Sequence, residues 1–428
     1  MKYPFTIVVF FMSFFVLAQT QVLDNEKTLL IRPTDSIKKQ ELLSHIGNGY
    51  FPTKYFNFDL RYLIKYNQYE GFRTGLGGVT NSNFSDIFKV EGYAVYGFLD
   101  EAYKYSVGFG LRLNKKSNTW LTVSYTKDLV ETGSSNFITD SRMFQFFEPR
   151  LLNIELFHNT RVQKISLEHI LSPKIIAKTN FSVTNVDPTY SYRFVANNNT
   201  YSNYKLSMAI IALQWNPLGN FSSSAESFKT SAQTFPKFSV QYSKSIKNLL
   251  ESDFNFSKLD FRVQHTIFCK NNSRYEFTLK GGVTNGNLPL SHSYHSSPNN
   301  VNKETIMQRF SVAGTHSFET MYFNEFFSDR FMFFEVKHFL KPFAISPWFK
   351  PQLVLITRST LGDMKNKNKH QNITFNTLEK GYLESGFEVN KLLYGFGLSF
   401  AYRYGPYHLT DFQDNFAFKF TFHIDLTD

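Results

Sequence analysis

Alternation of large apolar and polar side chains at the C-terminus constrains the fold more than any other feature of this sequence. Every second residue from position 416 to position 426 is a large apolar one, and the intervening residues are Ala417, Lys419, Thr421, His423 and Asp425. Successive side chains of a strand point to opposite faces, whereas a helix would spread both sets around its circumference. The pattern therefore predicts a strand with one oily face and one wet face, which is typical of a membrane β-barrel.

The same period of two recurs along most of the chain. It is clear at 58–64, 105–113, 121–126, 259–264, 275–280 and 394–404, and weaker near 87–98, 151–171, 175–186, 202–215, 236–246, 331–339, 349–358 and 382–390. Even strand numbers are the rule for bacterial single-chain barrels, so we expect about 16 strands, within a range of about 16 to 18. The predicted fold class is all-β, a transmembrane antiparallel β-barrel.

A soluble β-sandwich is the main alternative, because its sheets also alternate apolar and polar residues. A sandwich core favours Val, Ile and Leu, whereas here Phe and Tyr crowd the apolar face and Gly, Ser, Arg and Glu recur on the other. Aromatic residues make up 18% of the chain and charged residues only 19%. This balance is unusual for a soluble protein but expected where alternate residues face lipid, so it favours the barrel.

The N-terminus predicts export. Met1-Lys2 is followed by an apolar run over residues 5–17, and Val16-Leu17-Ala18 offers a small-residue cleavage pattern. A helical span needs about 20 apolar residues, so this run is too short for an anchor. We expect a signal peptide at 1–18 cleaved near Ala18, a short periplasmic segment at 19–50, and a barrel at 51–428 in the outer membrane of a Gram-negative cell.

Five polar connections are long and rich in Asn, Ser, Lys and Gly. Barrels have short turns on the periplasmic side and long loops outside. We therefore expect these connections to be extracellular: 131–141, 187–203, 216–234, 286–304 and 363–377.

No motif in the sequence predicts catalysis. The segment at 397–401 lacks the second glycine of a nucleophile elbow, and no Lys-Ser/Thr pair follows the glycines at 75–78 to make a phosphate loop. His292 and His295 lie in a Ser/Asn-rich loop without nearby carboxylates, which does not favour a metal site. We expect no enzymatic activity, no cofactor and no metal.

The formal net charge of +11 raises the question of nucleic acid as a partner. The export signal and the lack of a basic helix or a nucleic-acid motif argue against it. The expected counter-charges are anionic outer-membrane lipid, lipopolysaccharide or anionic solutes.

Several charged residues fall on the small-residue faces of the predicted strands or at their starts. Charges facing a lumen must be paired or stay hydrated. They form either an internal salt-bridge network that holds the barrel in register or a selectivity ring around a pore, and the network is the favoured interpretation. The residues are Glu70, Arg73, Arg112, Glu384, Glu388 and Arg403.

Blocks of sequence resemble a family of Gram-negative outer-membrane proteins that carry a domain of unknown function, usually behind a carboxypeptidase-regulatory-like β-sandwich. The N-terminal blocks are Glu70-Gly71-Phe72-Arg73, Gly75-Leu76-Gly77-Gly78, Thr80-Asn81, Phe84-Ser85, Gly92-Tyr93, Tyr96-Gly97, Asp100 and Lys104-Tyr105. The later blocks are Asn324-Glu325-Phe326, Ser328-Asp329-Arg330, Lys380-Gly381-Tyr382-Leu383-Glu384-Ser385-Gly386, Tyr402-Arg403-Tyr404-Gly405-Pro406 and Asp414-Asn415-Phe416-Ala417. The resemblance spans residues 45–426.

Barrels of this family are similar in design to the outer-membrane assembly-factor and surface-antigen superfamily. That similarity implies a 16-stranded barrel that inserts or translocates proteins and holds an inward-folded loop with an Arg. The segment containing Glu325, Asp329 and Arg330 is the candidate loop, with Asp329 and Arg330 as its anchors, although the sequence has no Val-Arg-Gly-Phe motif. The expected function is structural or assembly-related, with a separate periplasmic protein as a partner. The alternative is a passive or selective channel for small, anionic solutes.

Overall fold

The computed structural model describes residues 48–133, 136–140, 154–219, 236–301, 311–346, 349–393 and 395–422. The predicted signal peptide, its cleavage site and nearly all of the predicted periplasmic segment lie outside these residues. The strands of the main sheet are β1 (Tyr50–Pro52), β2 (Phe56–Asp59), β3 (Ile64–Asn67), β4 (Gly71–Thr80), β5 (Phe88–Gly97), β6 (Ala102–Asn114), β7 (Thr119–Glu131), β8 (Phe157–Ser172), β9 (Ile175–Pro188), β12 (Tyr204–Trp215), β13 (Lys237–Ser245), β14 (Phe256–Phe268), β15 (Arg274–Gly286), β18 (Arg330–Phe339), β19 (Gln352–Asp363), β21 (Tyr382–Leu393), β22 (Phe396–Tyr404) and β23 (Phe416–Phe422).

The connections contain smaller elements. Five short strands occur there: β10 (Arg193–Ala196), β11 (Asn199–Tyr201), β16 (Pro298–Asn300), β17 (Phe318–Tyr322) and β20 (His370–Gln371). The helical elements of the described residues are 3₁₀ turns at Leu60–Tyr62, Leu249–Glu251, Leu290–His292, Lys367–Lys369, Gly405–Tyr407 and Phe412–Asn415. Within these ranges we find no helix of the length and apolarity that crossing a bilayer requires.

The main sheet is antiparallel throughout its described ladders, and each long strand pairs with the next along the chain. β2 and β3 both pair with β4, so they are two parts of one strand interrupted by the 3₁₀ turn Leu60–Tyr62. The sequence pattern had predicted a continuous strand there, but the Asp59 side chain accepts a hydrogen bond from the Arg61 N–H and turns the chain. With β2 and β3 counted once and three-residue β1 left out, the described sheet has 16 strands, which confirms the predicted barrel class.

The two faces of the strands differ as the alternation predicts. In β23 the side chains of Phe416, Phe418, Phe420 and Phe422 are 38–45% exposed. Between them, Ala417, Lys419 and Thr421 are buried. An apolar outer face left uncovered along a whole sheet distinguishes a membrane barrel from a sandwich, whose apolar face is packed on a second sheet.

The described sheet is not a closed ring. Among the described residues no ladder joins β23 to β1, β2 or β3, so the last strand has one edge without a neighbouring barrel strand.

Long connections emerge mainly from one end of the sheet, which we call the loop end. Glu131 pairs with Phe157 there, and His158 pairs with Pro188. One of the five predicted extracellular connections is misplaced: Trp215, which precedes 216–234, pairs with Ile175 beside the tight turn at the opposite end. The prediction was wrong because it used only loop length and composition. It did not take into account that successive connections of an antiparallel sheet lie at alternate ends of the strands.

Connections at the loop end pack together into an apolar cap. The three-stranded sheet β11-β10-β20 joins the connection before β12 to the one before β21. The Tyr192 hydroxyl lies 2.8 Å from Nδ1 of His370. Buried apolar residues contributed by the connections include Tyr192, Phe194, Phe254, Leu288, Leu290, Phe327, Met364 and Phe375.

Candidate functional site: an inward-folded segment held by lumen charges

The long connection between β15 and β18 carries a segment, residues 314–326, that lies against the inner face of the sheet. We call it the inner segment. Its strand β17 pairs in parallel with β16, which belongs to the same connection. Phe318 and Met321 of β17 are fully buried. The connection thus returns into the barrel and does not stay outside.

Glu384 of β21 binds the backbone of the inner segment. Its carboxylate accepts hydrogen bonds from the N–H of Glu319 (3.1 Å) and from the N–H and hydroxyl of Thr320 (2.7 and 2.6 Å). The Tyr382 hydroxyl lies 2.8 Å from the Thr320 hydroxyl. Because backbone donors and a side-chain donor converge on one carboxylate, the position of β17 is fixed relative to the barrel wall.

Arg358 of β19 joins the carboxylates of its two neighbouring strands. Its Nε donates to Glu335 of β18 at 2.5 Å, and its Nη1 donates to Glu384 at 3.2 Å. All three side chains are about 1–2% exposed. Ladder register explains the cluster, since Glu335 pairs with Arg358 and Arg358 pairs with Glu384.

Lys419 of β23 holds Glu319 from the opposite direction. Its Nζ lies 3.1 Å from the Glu319 carboxylate and also donates to the backbone oxygen of Asn299. The same carboxylate accepts hydrogen bonds from Asn299 (2.8 Å), from Ser317 (2.8 Å) and from the N–H of Gly314 (3.1 Å). Several donors therefore converge on one buried carboxylate, which fixes the position of Glu319 relative to β23.

A second anchor joins Arg403 of β22 to Glu325 of the inner segment. The guanidinium makes a two-pronged contact with the carboxylate at 2.6 and 3.2 Å, and it also donates to the backbone oxygen of Tyr407. Arg403 lies over the ring of Tyr382, with its charged carbon 4.8 Å from the centroid. A two-pronged contact fixes the relative orientation of the two side chains as well as the distance between them.

A third contact involves the connection that follows β7. Arg262 of β14 donates to the Asp140 carboxylate at 3.0 Å, and its guanidinium carbon lies 4.5 Å from the centre of the Phe137 ring. The Ile138 N–H donates to the side-chain oxygen of Gln241 at 2.9 Å. A second connection therefore also contacts the inner face of the sheet.

The predicted charges of the first strands form a separate network. Arg73 donates to Asp128 at 2.7 and 2.9 Å and lies 3.4 Å from Glu70. Glu70 in turn pairs with Lys104 at 2.8 Å. Arg112 is not part of this network, because it lies at the other end of its strand and donates to Asn118 at 2.8 Å.

Glu388 faces the lumen but belongs to neither of the two anchors. Its carboxylate accepts a hydrogen bond from Asn390 at 3.0 Å, and Asn390 accepts one from the Thr421 hydroxyl at 2.6 Å.

Arg330 lies away from the inner face, contrary to its predicted role as a loop anchor. It is the first residue of β18, its side chain is 49% exposed, and it pairs with Asp363 at the loop end. In β18 the buried residues are at the odd-numbered positions 333, 335 and 337. Side chains alternate between the two faces of a strand, so the side chain of residue 330 points to the outer face. Asp329 accepts a hydrogen bond from the Lys365 N–H at 2.9 Å and likewise does not reach the lumen cluster.

The structure brings Glu325, Glu384 and Arg403 together and adds four residues that the sequence analysis did not single out. These are Glu319, Glu335, Arg358 and Lys419. The period-two pattern could have found the last three, because each lies on the polar face of its strand. Glu319 gave no such signal, since it belongs to a connection.

Comparison of the sequence with known families bears on the predicted resemblance. The C-terminal domain of a family of unknown function, DUF5686, matches residues 45–334, which is more than half of the chain. The chain belongs to this family. The resemblance inferred from the sequence blocks is thereby confirmed, and the blocks after residue 334 lie outside the matched region. No curated protein matches the chain.

Solved structures with a similar fold include BamA from Haemophilus ducreyi lacking POTRA domains 1–3. It is 9% identical, the alignment covers 83% of this chain and 68% of that chain, and the TM-score is 0.51. CdiB from Acinetobacter baumannii is 12% identical with a TM-score of 0.43, and CdiB from Escherichia coli is 8% identical with a TM-score of 0.45. Each of these alignments covers 83% of this chain, which spans 57% and 60% of the two CdiB chains. The likeness to BamA shows that the fold is that of an outer-membrane barrel.

Proposed function

We propose that this protein is a non-enzymatic outer-membrane barrel with a structural role in protein assembly or translocation, and that it is not a passive channel. The observation that carries the proposal is the inner segment, which a network of buried charges on five strands (β18, β19, β21, β22 and β23) holds inside the barrel. In a selectivity ring, charges face a water-filled path, whereas here they pair with one another and with the segment.

The proposed lipid partners follow from the outer face of the sheet and from the net charge. The uncovered Phe-rich outer face favours acyl chains of outer-membrane lipid, and the net charge of +11 favours anionic headgroups and lipopolysaccharide. A separate periplasmic protein remains a proposed partner, and we propose no nucleic acid or cofactor.

Depletion of the protein followed by quantitative proteomics of the outer membrane tests the role. We expect a broad fall in other barrel proteins, which plasmid-encoded wild type and Arg330→Ala restore but Arg358→Met restores only in part. Equal abundance of the other barrels before and after depletion would rule out an assembly role.

A further inference from the structure

The outer face of the sheet becomes polar and basic near the loop end of four neighbouring strands. Their ladders place four side chains next to one another: Lys127 of β7, Arg161 of β8, Asn185 of β9 and Lys205 of β12. We call these residues the outer row. Arg161 and Asn185 are exposed, and Lys127 and Lys205 are half-buried. Cations therefore occur on the face that elsewhere carries the apolar residues of the barrel.

Strand alternation shows that the outer row points away from the lumen. Asp128, the residue after Lys127, binds Arg73 inside the barrel. Val123 of β7 and Ile165 of β8 lie on the same face as the outer row, four residues farther from the loop end, and each is 50% exposed. A strand rises about 3.3 Å per residue, so the outer row lies about 13 Å along the strands from this apolar surface.

This position corresponds to the boundary between acyl chains and headgroups. Bacterial barrels carry their long loops outside the cell, so the loop end lies in the outer leaflet. Tyr105, which pairs with Lys127, and Tyr125 lie on the outer face with their ring centres 6.1 Å apart. Aromatic residues mark the interfaces of membrane barrels, and a cation on the lipid face is costly at the midplane but tolerated at an interface. The outer row is therefore at the level of the headgroups.

Two cations of the outer row are available to a ligand. Lys127 and Arg161 make no ion pair with any residue in the described ranges. Lys205 pairs with Glu251 at 2.7 Å, but Glu251 is 83% exposed, so solvent weakens this pair. Two carboxylates of the same face lie nearer to the loop end than the row, at Glu131 and Asp187. Positive charge thus prevails at the level of the row itself.

We propose that the outer row is a binding site for lipopolysaccharide, in which the cations bind phosphate of the lipid A headgroup and Val123 and Ile165 contact its acyl chains. Arg161 is the central residue, because a planar guanidinium donates two parallel hydrogen bonds to one phosphate. Lys127 adds a second charge beside it, and Asn185 adds an amide donor. The site rests on the outer-membrane location and lipid partner of the proposed function, but it does not require the assembly role.

Native mass spectrometry of the full-length mature protein in detergent measures lipid binding, and heat-modifiable migration on a gel verifies folding. The variants are Arg161→Gln, Lys127→Gln and the double variant. Arg330→Gln is the matched control, because it removes an outer-face cation at the loop end that Asp363 already pairs. The probes are deep-rough lipopolysaccharide, the same molecule after enzymatic removal of its phosphates, and phosphatidylglycerol.

Wild type and Arg330→Gln should bind one molecule of lipopolysaccharide with equal affinity. Each single variant should bind about fivefold more weakly and the double variant about thirtyfold more weakly, because each cation near a membrane surface contributes separately. Arg161→Lys should retain most of the affinity. Glu251→Gln, which frees Lys205, should tighten binding by about twofold.

Three results would overturn the site. One is equal affinity of the double variant and wild type, and another is equal binding of intact and dephosphorylated lipopolysaccharide by wild type. The third is binding of phosphatidylglycerol as tight as that of lipopolysaccharide, which would mean that the row attracts any anionic lipid. The proteomic test of the assembly role is independent of all three, because it does not measure lipid binding.

Discussion

The surroundings of Arg358 show most clearly how a buried ion pair differs from a solvent-exposed ion pair. Its guanidinium lies between the carboxylates of Glu335 and Glu384, and all three are buried. Removing one partner of a buried ion pair leaves uncompensated charge in a medium of low dielectric constant, which costs far more than losing a solvent-exposed pair.

Arg358→Met should therefore lower barrel stability by about 3–5 kcal/mol, because two buried carboxylates lose their cation. The measurement is the temperature midpoint of the gel-mobility shift between folded and unfolded barrel. Adding Glu384→Gln to Arg358→Met should recover part of the loss.

Arg330→Ala is the matched control, because Arg330 is half exposed and pairs with Asp363 at the loop end. Its midpoint should equal that of wild type, which reverses the sequence-based expectation that Arg330 anchors the loop. Equal midpoints for Arg358→Met and wild type would contradict the stabilising role proposed for Arg358.

The cap at the loop end should be sensitive to pH through His370. Burial lowers the pKa of His370 from 6.5 to about 4. Since the unfolded chain then binds more protons than the folded cap, the stabilisation is complete above pH 6.5 and falls as the pH drops toward about 4, by up to about 3 kcal/mol. Protease protection of the loop-end connections should fall over this range. In His370→Gln the fall should be shallower, and an unchanged profile would exclude His370 as the titrating group.

At the scale of elements, period two predicts strands wherever large side chains alternate with small or polar ones. It located β6, β7, β14, β15 and β22 because each carries a continuous row of large apolar residues at alternate positions. It missed β4, whose sequence Gly71–Thr80 is glycine-rich and lacks that row. The reason lies in packing between strands: a Cβ on Gly77 would lie 2.5 Å from Tyr62 and 2.6 Å from Tyr93, whose rings stack at 4.1 Å.

Gly77→Val should therefore destabilise the first strands by about 1–3 kcal/mol, because the added side chain separates the Tyr62–Tyr93 stack. Leu76→Val, at a neighbouring position that is 61% exposed on the outer face, is the control. Both are compared by the same gel-shift midpoint. A Gly77→Val midpoint equal to that of Leu76→Val would show that the stack does not depend on the glycine.

At the scale of the whole molecule, the described structure is a 16-stranded outer-membrane barrel with a segment inside it and an apolar cap at the loop end. The barrel follows from the sequence because its signal is local and repeats in every strand. The resemblance implied the inward-folded segment that contains Glu325, but neither the cap nor the partners of that segment could be predicted, because they depend on pairs distant in sequence, such as Tyr192 and His370, 178 residues apart. Partner choice among lumen charges likewise depends on ladder register, which one strand's sequence does not specify.

Conductance of the purified protein in planar lipid bilayers tests the central claim, that the inner segment occupies the lumen. We predict no steady conductance for wild type or Arg330→Ala. A variant in which residues 301–326 are replaced by a short Gly/Ser linker should give steady, ohmic openings, because Glu319 and Glu325 no longer hold a segment against Lys419 and Arg403. Steady ohmic conductance of the wild-type protein, equal to that of the linker variant, would contradict the account and favour a passive channel.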